Sequence, residues 1–430
     1  MRILFVADGR SPTAINWIQG ILDLGHEVHL VSTYPCNLVM PLASLTVVPV
    51  AFSALGGSSQ PASFDQRKVG DLVISRDPER EFQEKRNKRS LLANWKFFGG
   101  KGASQVRIRT VFRHWLSPLT LPRAARSLAM MINKIQPDLV HAMRIPYEGM
   151  LAGKALKILK SEKPGSATPP LFVSIWGNDF TLHAPSTPWM SRLTYQTLSL
   201  ATAIYADCKR DIRLAYSWGF QEGKPFCVLP GGGGIQLDVF FSNQEDELSQ
   251  ETRVINPRGI RAYVRNDMFF RSIPHILEKM PQTLFICPGM AGDRKVLSWV
   301  SELGIEKSVR LLTSQARSDM AVLFRRSQVI VSPSTHDGTP NTLLEAMACG
   351  CFPVAGDLES IREWITPGVN GYLVDPGNPE MLARAVLIGL ENHALRQTAR
   401  EINLVQIATK AEYRAVMLEA AWFYMQCIHP

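Results

Sequence analysis

The sequence predicts an α/β protein: two doubly wound, Rossmann-like domains facing across a cleft, with a helical C-terminal tail. Three observations carry this. Apolar runs of strand length alternate with segments of helical spacing along most of the 430 residues, and that alternation implies parallel sheets with helices on their faces. The series is interrupted at "PGGGG" (230–234) and the polar "SNQEDELSQET" (242–252), and then starts again. From Pro379 onward the pattern is helical throughout.

Each element follows from its own residues. "RILFVA" (2–7) is a buried strand, and "AINWIQGILDLG" (14–25) has helical spacing through Ile15, Ile18, Ile21 and Leu22, stopped by Gly25. "EVHLVS" is the next strand. After a basic stretch come a helix through "ARSLAMMINKI", a strand "DLVHAM", a helix "GMLAGKALKIL", a strand "LFVSIW", a helix around "RLTYQTLSL" and a strand "AIYAD". The second series runs through "RVINPRG", "TLFICPG", "VRLLT", "VIVSPS", "FPVAG" and "GYLVD", with helical segments between. The expected division is 1–240, 241–410 and 411–430, with the last segment packing back on the first domain.

Composition sets outer limits. Hydrophobic residues make up 46% and charged residues 20% of the chain. No apolar run approaches the roughly 18 residues of a membrane span. The first strand closes at Asp8 and Gly9, which reads as a buried strand rather than a signal peptide. Seven scattered cysteines suit a reduced, cytoplasmic protein. Cys349 and Cys351 read as small core residues, since no second pair completes a metal site. The formal charge is +9, and between Arg80 and Arg126 twelve Lys or Arg face two acids. Trp95, Phe97, Phe98, Phe112 and Trp115 interleave with them. Basic and aromatic residues together suit an anionic membrane surface, which would place the protein peripherally on the inner face of a membrane, but they also fit a solvated surface insertion or nucleic acid. No nucleic-acid motif accompanies the stretch. Neither series carries G-x-G-x-x-G, which argues against a dinucleotide-dependent dehydrogenase.

The chemistry concentrates in "HDGTPNTLLEAMACG" (336–350). "VIVSPS" ends a strand, so Asp337 and Gly338 lie in the following turn. Thr339 is expected to cap the next helix and Pro340 to occupy its first position. The amides near Asn341 and Thr342 then make a helix N-terminus suited to phosphate. Glu345 lies four residues after Asn341 and three after Thr342, on their face. Carboxylates only accept hydrogen bonds, and sugar hydroxyls donate them.

The segment "SPSTHDGTPNTLLEAMACGCFPVAGDLESIREWITPGVNGYLVDPGNPEMLARAV" resembles the retaining glycosyltransferases of the GT4 group (glycosyltransferase group 1), which have the GT-B fold. Asp337, Gly338, Pro340, Leu344, Glu345, Ala346, Met347, Ala348, Gly350, Pro353 and Val354 match the family's pattern. "LGHEVHLVS", "QPDLVHAMRIPYEGMLAG" and "VSIWGNDF" are similar more weakly. The resemblance implies a nucleotide-sugar donor and a carbohydrate or lipid-linked acceptor, as in polysaccharide or glycolipid synthesis, with no metal or other cofactor. No Asp-x-Asp stands in the chain.

The resemblance also assigns residues. Glu345 would bind the donor ribose and Asp337 the transferred sugar, where the family usually has Glu. The segment from Gly338 through Thr339, Pro340 and Asn341 to Thr342 would meet diphosphate or sugar, through the N–H groups of its residues other than Pro340. Arg258 takes the place of a family Arg that reaches the diphosphate, and Arg265 that of a Lys, with Arg261 as a rival. The acceptor side follows instead from position after strands: Trp176, where relatives carry His, and Asp179 are expected to reach the cleft with His183 close by, and Ser11 and Thr13 lie at its edge, where they could touch acceptor or phosphate. Two other readings use the same fold: a nucleotide-sugar epimerase, and a non-catalytic nucleotide-sugar-binding subunit.

Overall fold

The computed structural model describes residues 1–50, 53, 119–162, 164–165, 167–243 and 251–428. Most of the basic stretch 80–126, with Trp95, Phe97, Phe98, Phe112 and Trp115, lies outside them.

The first sheet has seven strands: β1 (Arg2–Ala7), β2 (Glu27–Ser32), β3 (Ser44–Val47), β4 (Leu139–Ala142), β5 (Leu171–Ile175), β6 (Ala203–Ala206) and β7 (Phe226–Val228). Their spatial order is β3-β2-β1-β4-β5-β6-β7, with every pair parallel. The helices of this half are α1 (Pro12–Asp23), α2 (Leu121–Ile135), α3 (Met150–Glu162), α4 (Pro188–Leu200) and α5 (Lys209–Ser217). Strands covered on both faces must be apolar along their whole length. In β1 the last five of six residues are buried, and β4, β5 and β6 are buried throughout. The edge strand β3 instead alternates half-buried and exposed residues, a pattern too weak and short to be read from "SLTV".

The second sheet has six strands in the order β10-β9-β8-β11-β12-β13. These are β8 (Arg253–Ile255), β9 (Leu284–Pro288), β10 (Val309–Leu312), β11 (Val329–Ser332), β12 (Phe352–Gly356) and β13 (Tyr372–Val374). The helices are α6 (Asn266–Leu277), α7 (Arg294–Glu302), α8 (Arg317–Arg325), α9 (Asn341–Ala348), α10 (Pro379–Glu391) and α11 (His393–Lys410). In each sheet the strand order reverses about its first strand, between β1 and β4 and between β8 and β11. Such switch points open a crevice beyond the strands' carboxyl ends, where ligands bind in doubly wound folds.

The last helix, α12 (Tyr413–Ile428), crosses to the first sheet. Tyr413, Met417, Ala420 and Tyr424 share one buried cluster with Ile3, Phe5, Phe172 and Tyr205. Its polar atoms are paired as burial requires. Trp17 Nε1 donates to the Tyr424 hydroxyl (3.1 Å), Tyr205 donates to the Ala420 carbonyl (2.7 Å), and His141 lies between Tyr424 (2.5 Å) and Ser174 (2.9 Å). The chain thus passes between the halves twice, and the two crossings touch. Ile235 N donates to Ala411 O (2.7 Å) and Tyr413 N to Ile235 O (3.0 Å). Gly234 has φ +90, and a Cβ there would lie 2.4 Å from Ala411 O. Only glycine fits both the angle and the approach.

Candidate functional site

The site is built where strand ends of both sheets meet. After β11 the chain turns through Asp337 and Gly338 into α9. The helix does not start as the sequence suggests. Pro340, not Thr339, is the N-cap, and no side chain caps the helix. The Thr339 hydroxyl is committed elsewhere: it donates to Asp207 O across the cleft (2.5 Å) and accepts from Trp364 Nε1 (3.2 Å). The first amides of α9 are therefore left without a capping side chain, the condition for anion binding.

Arg258 follows β8 and points at this turn. Its guanidinium pairs with the Asp337 carboxylate and donates to Thr342 Oγ1 (3.1 Å). It is 7% exposed, and its Nε is buried with no partner. Arg258, Asp337 and Thr342 thus converge. Asn341, beside Thr342, faces the glycine turn: its Nδ2 lies 3.1 Å from where a Cβ of Gly232 would be. Gly338 and Pro340 are buried within the turn. Arg265 does not join the cluster. Its fork closes on Asp267 (2.9 Å), its near neighbour on α6, and that pairing raises its pKa. Arg261 donates to the Tyr263 hydroxyl (2.8 Å).

Glu345 lies one turn into α9 on the Thr342 face, half-buried. Burial raises its pKa, and Arg317 opposes the shift. Arg317, at the start of α8, is a residue that sequence reasoning missed. It reaches Glu345 Oε1 (3.4 Å), and also Asn16 Oδ1 and Gln236 Oε1 (both 3.2 Å). It thereby ties the Glu345 face to α1 of the first half and to the junction. "SQARSDM" carries no spacing that announces this.

On the first half, Ser11 caps α1 through Ala14 N (3.4 Å). Thr13 faces the glycine turn, its Cγ2 3.3 Å from a Cβ built on Gly232. Trp176 lines a narrow crevice with Trp17, Asp207, Gly231 and Gly232. Arg144 lies over the Trp176 ring, 5.4 Å from its centroid. Asp179 does not reach the cleft as the sequence suggests. It is 1% exposed and accepts from Arg144 Nε (2.9 Å), Trp176 N (3.2 Å) and Ile145 N (3.3 Å). Its carboxylate is spent on holding Arg144 and the 176 turn. His183 ends that turn, half-buried.

Asp207 is a further residue missed, although it closes the strand-like "AIYAD". It sits at the end of β6, against the Asp337–Gly338 turn. A Cβ on Gly338 would lie 2.3 Å from both its carboxylate oxygens, and one on Gly177 would lie 1.7 Å from Gly338 N. The halves close on two glycines. Among the described residues, Asp207, Cys208 and Asp211 bring three metal-ligating atoms within 4.8 Å of one another. Arg210 already pairs with Asp211 there (2.8 Å), so a cation is poorly served.

A family model described as glycosyl transferases group 1 matches residues 242–403, and one described as glycosyl transferase 4-like matches 100–208. An N,N'-diacetylbacillosaminyl-diphospho-undecaprenol alpha-1,3-N-acetylgalactosaminyltransferase from Campylobacter jejuni is 35% identical over 186 residues, 41% of this chain and 48% of the relative. A D-inositol 3-phosphate glycosyltransferase from Salinispora arenicola is 31% identical over 130 residues, 29% of each chain. The matched stretch spans less than half of either relative. Similar folds extend further. Sucrose-phosphate synthase from Thermosynechococcus elongatus superposes with a TM-score of 0.70 at 14% identity, covering 99% of this chain and 98% of that one. Anabaena HepE in complex with UDP-glucose gives 0.65 at 14% identity, covering 99% and 100%.

Proposed function

Because the chain belongs to the GT4-type, group 1 glycosyltransferases with the GT-B fold, we propose that it moves a sugar from a nucleoside-diphosphate donor to an acceptor hydroxyl with retention of anomeric configuration. The observation that carries this reading is the convergence of Arg258, Asp337 and Thr342 at the uncapped start of α9, with Glu345 one turn further along. The diphosphate sits at the α9 amides and Arg258, the ribose at Glu345, the sugar at Asp337. Breaking the glycosyl–phosphate bond moves negative charge onto the diphosphate. Donors already aimed there stabilise that charge as it develops, and the proposal assigns no metal to this step. The departing phosphate takes the acceptor's proton.

The acceptor enters from the first half, beside Trp176. We take it to be a carbohydrate, lipid-linked by preference. The Campylobacter relative is named for a diphospho-undecaprenol substrate, and the basic, aromatic-rich stretch suits an anionic surface. Among the described residues no helix is long and apolar enough to cross a membrane, so contact with a membrane would be peripheral.

The test is nucleotide release from a panel of UDP-, GDP- and ADP-sugars. Arg258→Ala should lower turnover of the preferred donor by about 10²-fold, the usual cost of one donor to a developing oxyanion. Undiminished turnover in the variant would remove Arg258 from the mechanism.

A further inference from the structure

We propose that Arg210, backed by the Asp207–Asp211 carboxyl pair, is the positioning residue that sets the Asp337 turn when the two halves are shut. This rests on the reading of Asp337 as a donor-sugar contact.

Arg210 belongs to the first half, on the first turn of α5, and is 8% exposed. Its guanidinium donates within that half to Gly177 O (2.7 Å) and Asp211 Oδ1 (2.9 Å). It also crosses the cleft to Asp337 O (2.8 Å) and Ser360 Oγ (3.5 Å). Ser360 Oγ in turn donates to Asp337 O (2.8 Å). The carbonyl of Asp337 is thus held by two donors, one from each half, while its carboxylate is held by Arg258. The glycine contacts show why these bonds belong to the closed form. Gly177 and Gly338 abut with no room for a Cβ on either, and Thr339 reaches Asp207 O across the same seam. Opening the cleft breaks the Arg210 bonds to Asp337 and Ser360 together and frees the turn.

The carboxyl pair makes this contact sensitive to protons. Asp207 Oδ2 accepts from Gly177 N (3.3 Å), and its other oxygen is buried. Burial raises the Asp207 pKa, and the neighbouring carboxylates of Asp211 and Asp337 push the same way, while Arg210 opposes them. Cys208 stands beside the pair, and Lys209 meets Glu363 further along the seam through its backbone N–H (2.9 Å). To the extent that Asp337 and the shut seam hold the Asp207 pKa up, the protonated carboxyl favours the closed form fully below its ordinary value of about 3.9. That preference is lost as pH rises through the raised value.

The experiment is hydrogen exchange on the full chain, following peptides across 335–345 from pH 5.5 to 8.5 after correction for the intrinsic rate. In the wild type, protection should fall as pH rises. Arg210→Gln should exchange at least tenfold faster at the lowest pH, Arg210→Lys should recover part of the loss, and Asp207→Asn should flatten the pH dependence. Protection unchanged in Arg210→Gln, or a pH dependence that survives in Asp207→Asn, would overturn the proposal. A second readout is nucleotide release from the same UDP-, GDP- and ADP-sugar panel. Arg210→Gln should lower kcat at least tenfold and leave the donor KM nearly unchanged. Altered exchange with unaltered kcat would also overturn it. If the wild type turns over no donor, the transferase reading fails, and the exchange data alone decide the seam.

Discussion

Glu148 is buried at 5% exposure just after β4, with Thr33 Oγ1 donating to it (2.6 Å). Burial pushes its carboxyl up to about 7, against the pull of Thr33 and Arg144. An exposed glutamate titrates at about 4.3, so the folded protein keeps a proton that the unfolded chain releases. The associated stability is complete below about 4.3 and is lost as pH rises through about 7, by up to roughly 4 kcal/mol. Glu148→Gln has no proton to lose. Thermal midpoints at pH 5 and pH 8 should therefore fall further for the wild type than for the variant. Equal falls would show that Glu148 ionises freely in the fold. His141 behaves oppositely: fully buried, it is held neutral, with its pKa lowered to about 3 by burial.

At the scale of elements, α12 packs into the buried cluster on one face of the first sheet, so its loss would be felt there. Tyr424 is fully buried, stacks edge-on against Phe172, Tyr205 and His141, and accepts from Trp17. Tyr424→Ala leaves a cavity and an unpaired indole N–H, and should cost about 3–5 kcal/mol. Urea unfolding followed by tryptophan fluorescence measures this. A loss below about 1 kcal/mol would mean that α12 is only loosely applied. The strands were legible in the sequence because parallel strands covered on both faces read as continuous apolar runs, as in "RILFVA" and "VIVSPS". The edge strand β3 has no such run. The site was legible where chemistry is local, in Asp337, Thr342 and Glu345 along one turn and helix. It was opaque where pairing is long-range. Arg317 lies 301 residues from Asn16 in sequence, and Arg210 lies 127 from Asp337. Thr339 has the type and position of a cap, yet a partner in the other half takes its hydroxyl. Asp179 has the position of a cleft residue, yet three nearby donors consume it.

At the scale of the whole molecule, two sheets meet at their carboxyl ends, and two adjacent chain crossings at Ile235 and Ala411–Tyr413 join them. Side chains from one half finish contacts in the other: Arg210 to Asp337, Thr339 to Asp207, Arg317 to Asn16. Glu345 faces Arg317 in this closed form, so a ribose reaching Glu345 must share or displace that arginine. The central claim is that a nucleoside diphosphate binds between the halves at α9. Thermal stabilisation by UDP, GDP and ADP, for the wild type and Glu345→Ala, tests it most directly. At about 100 times its dissociation constant, one nucleotide should stabilise the wild type by roughly 2.7 kcal/mol, and Glu345→Ala should lose most of that gain. No stabilisation by any of the three, or an equal gain in Glu345→Ala, would contradict the account.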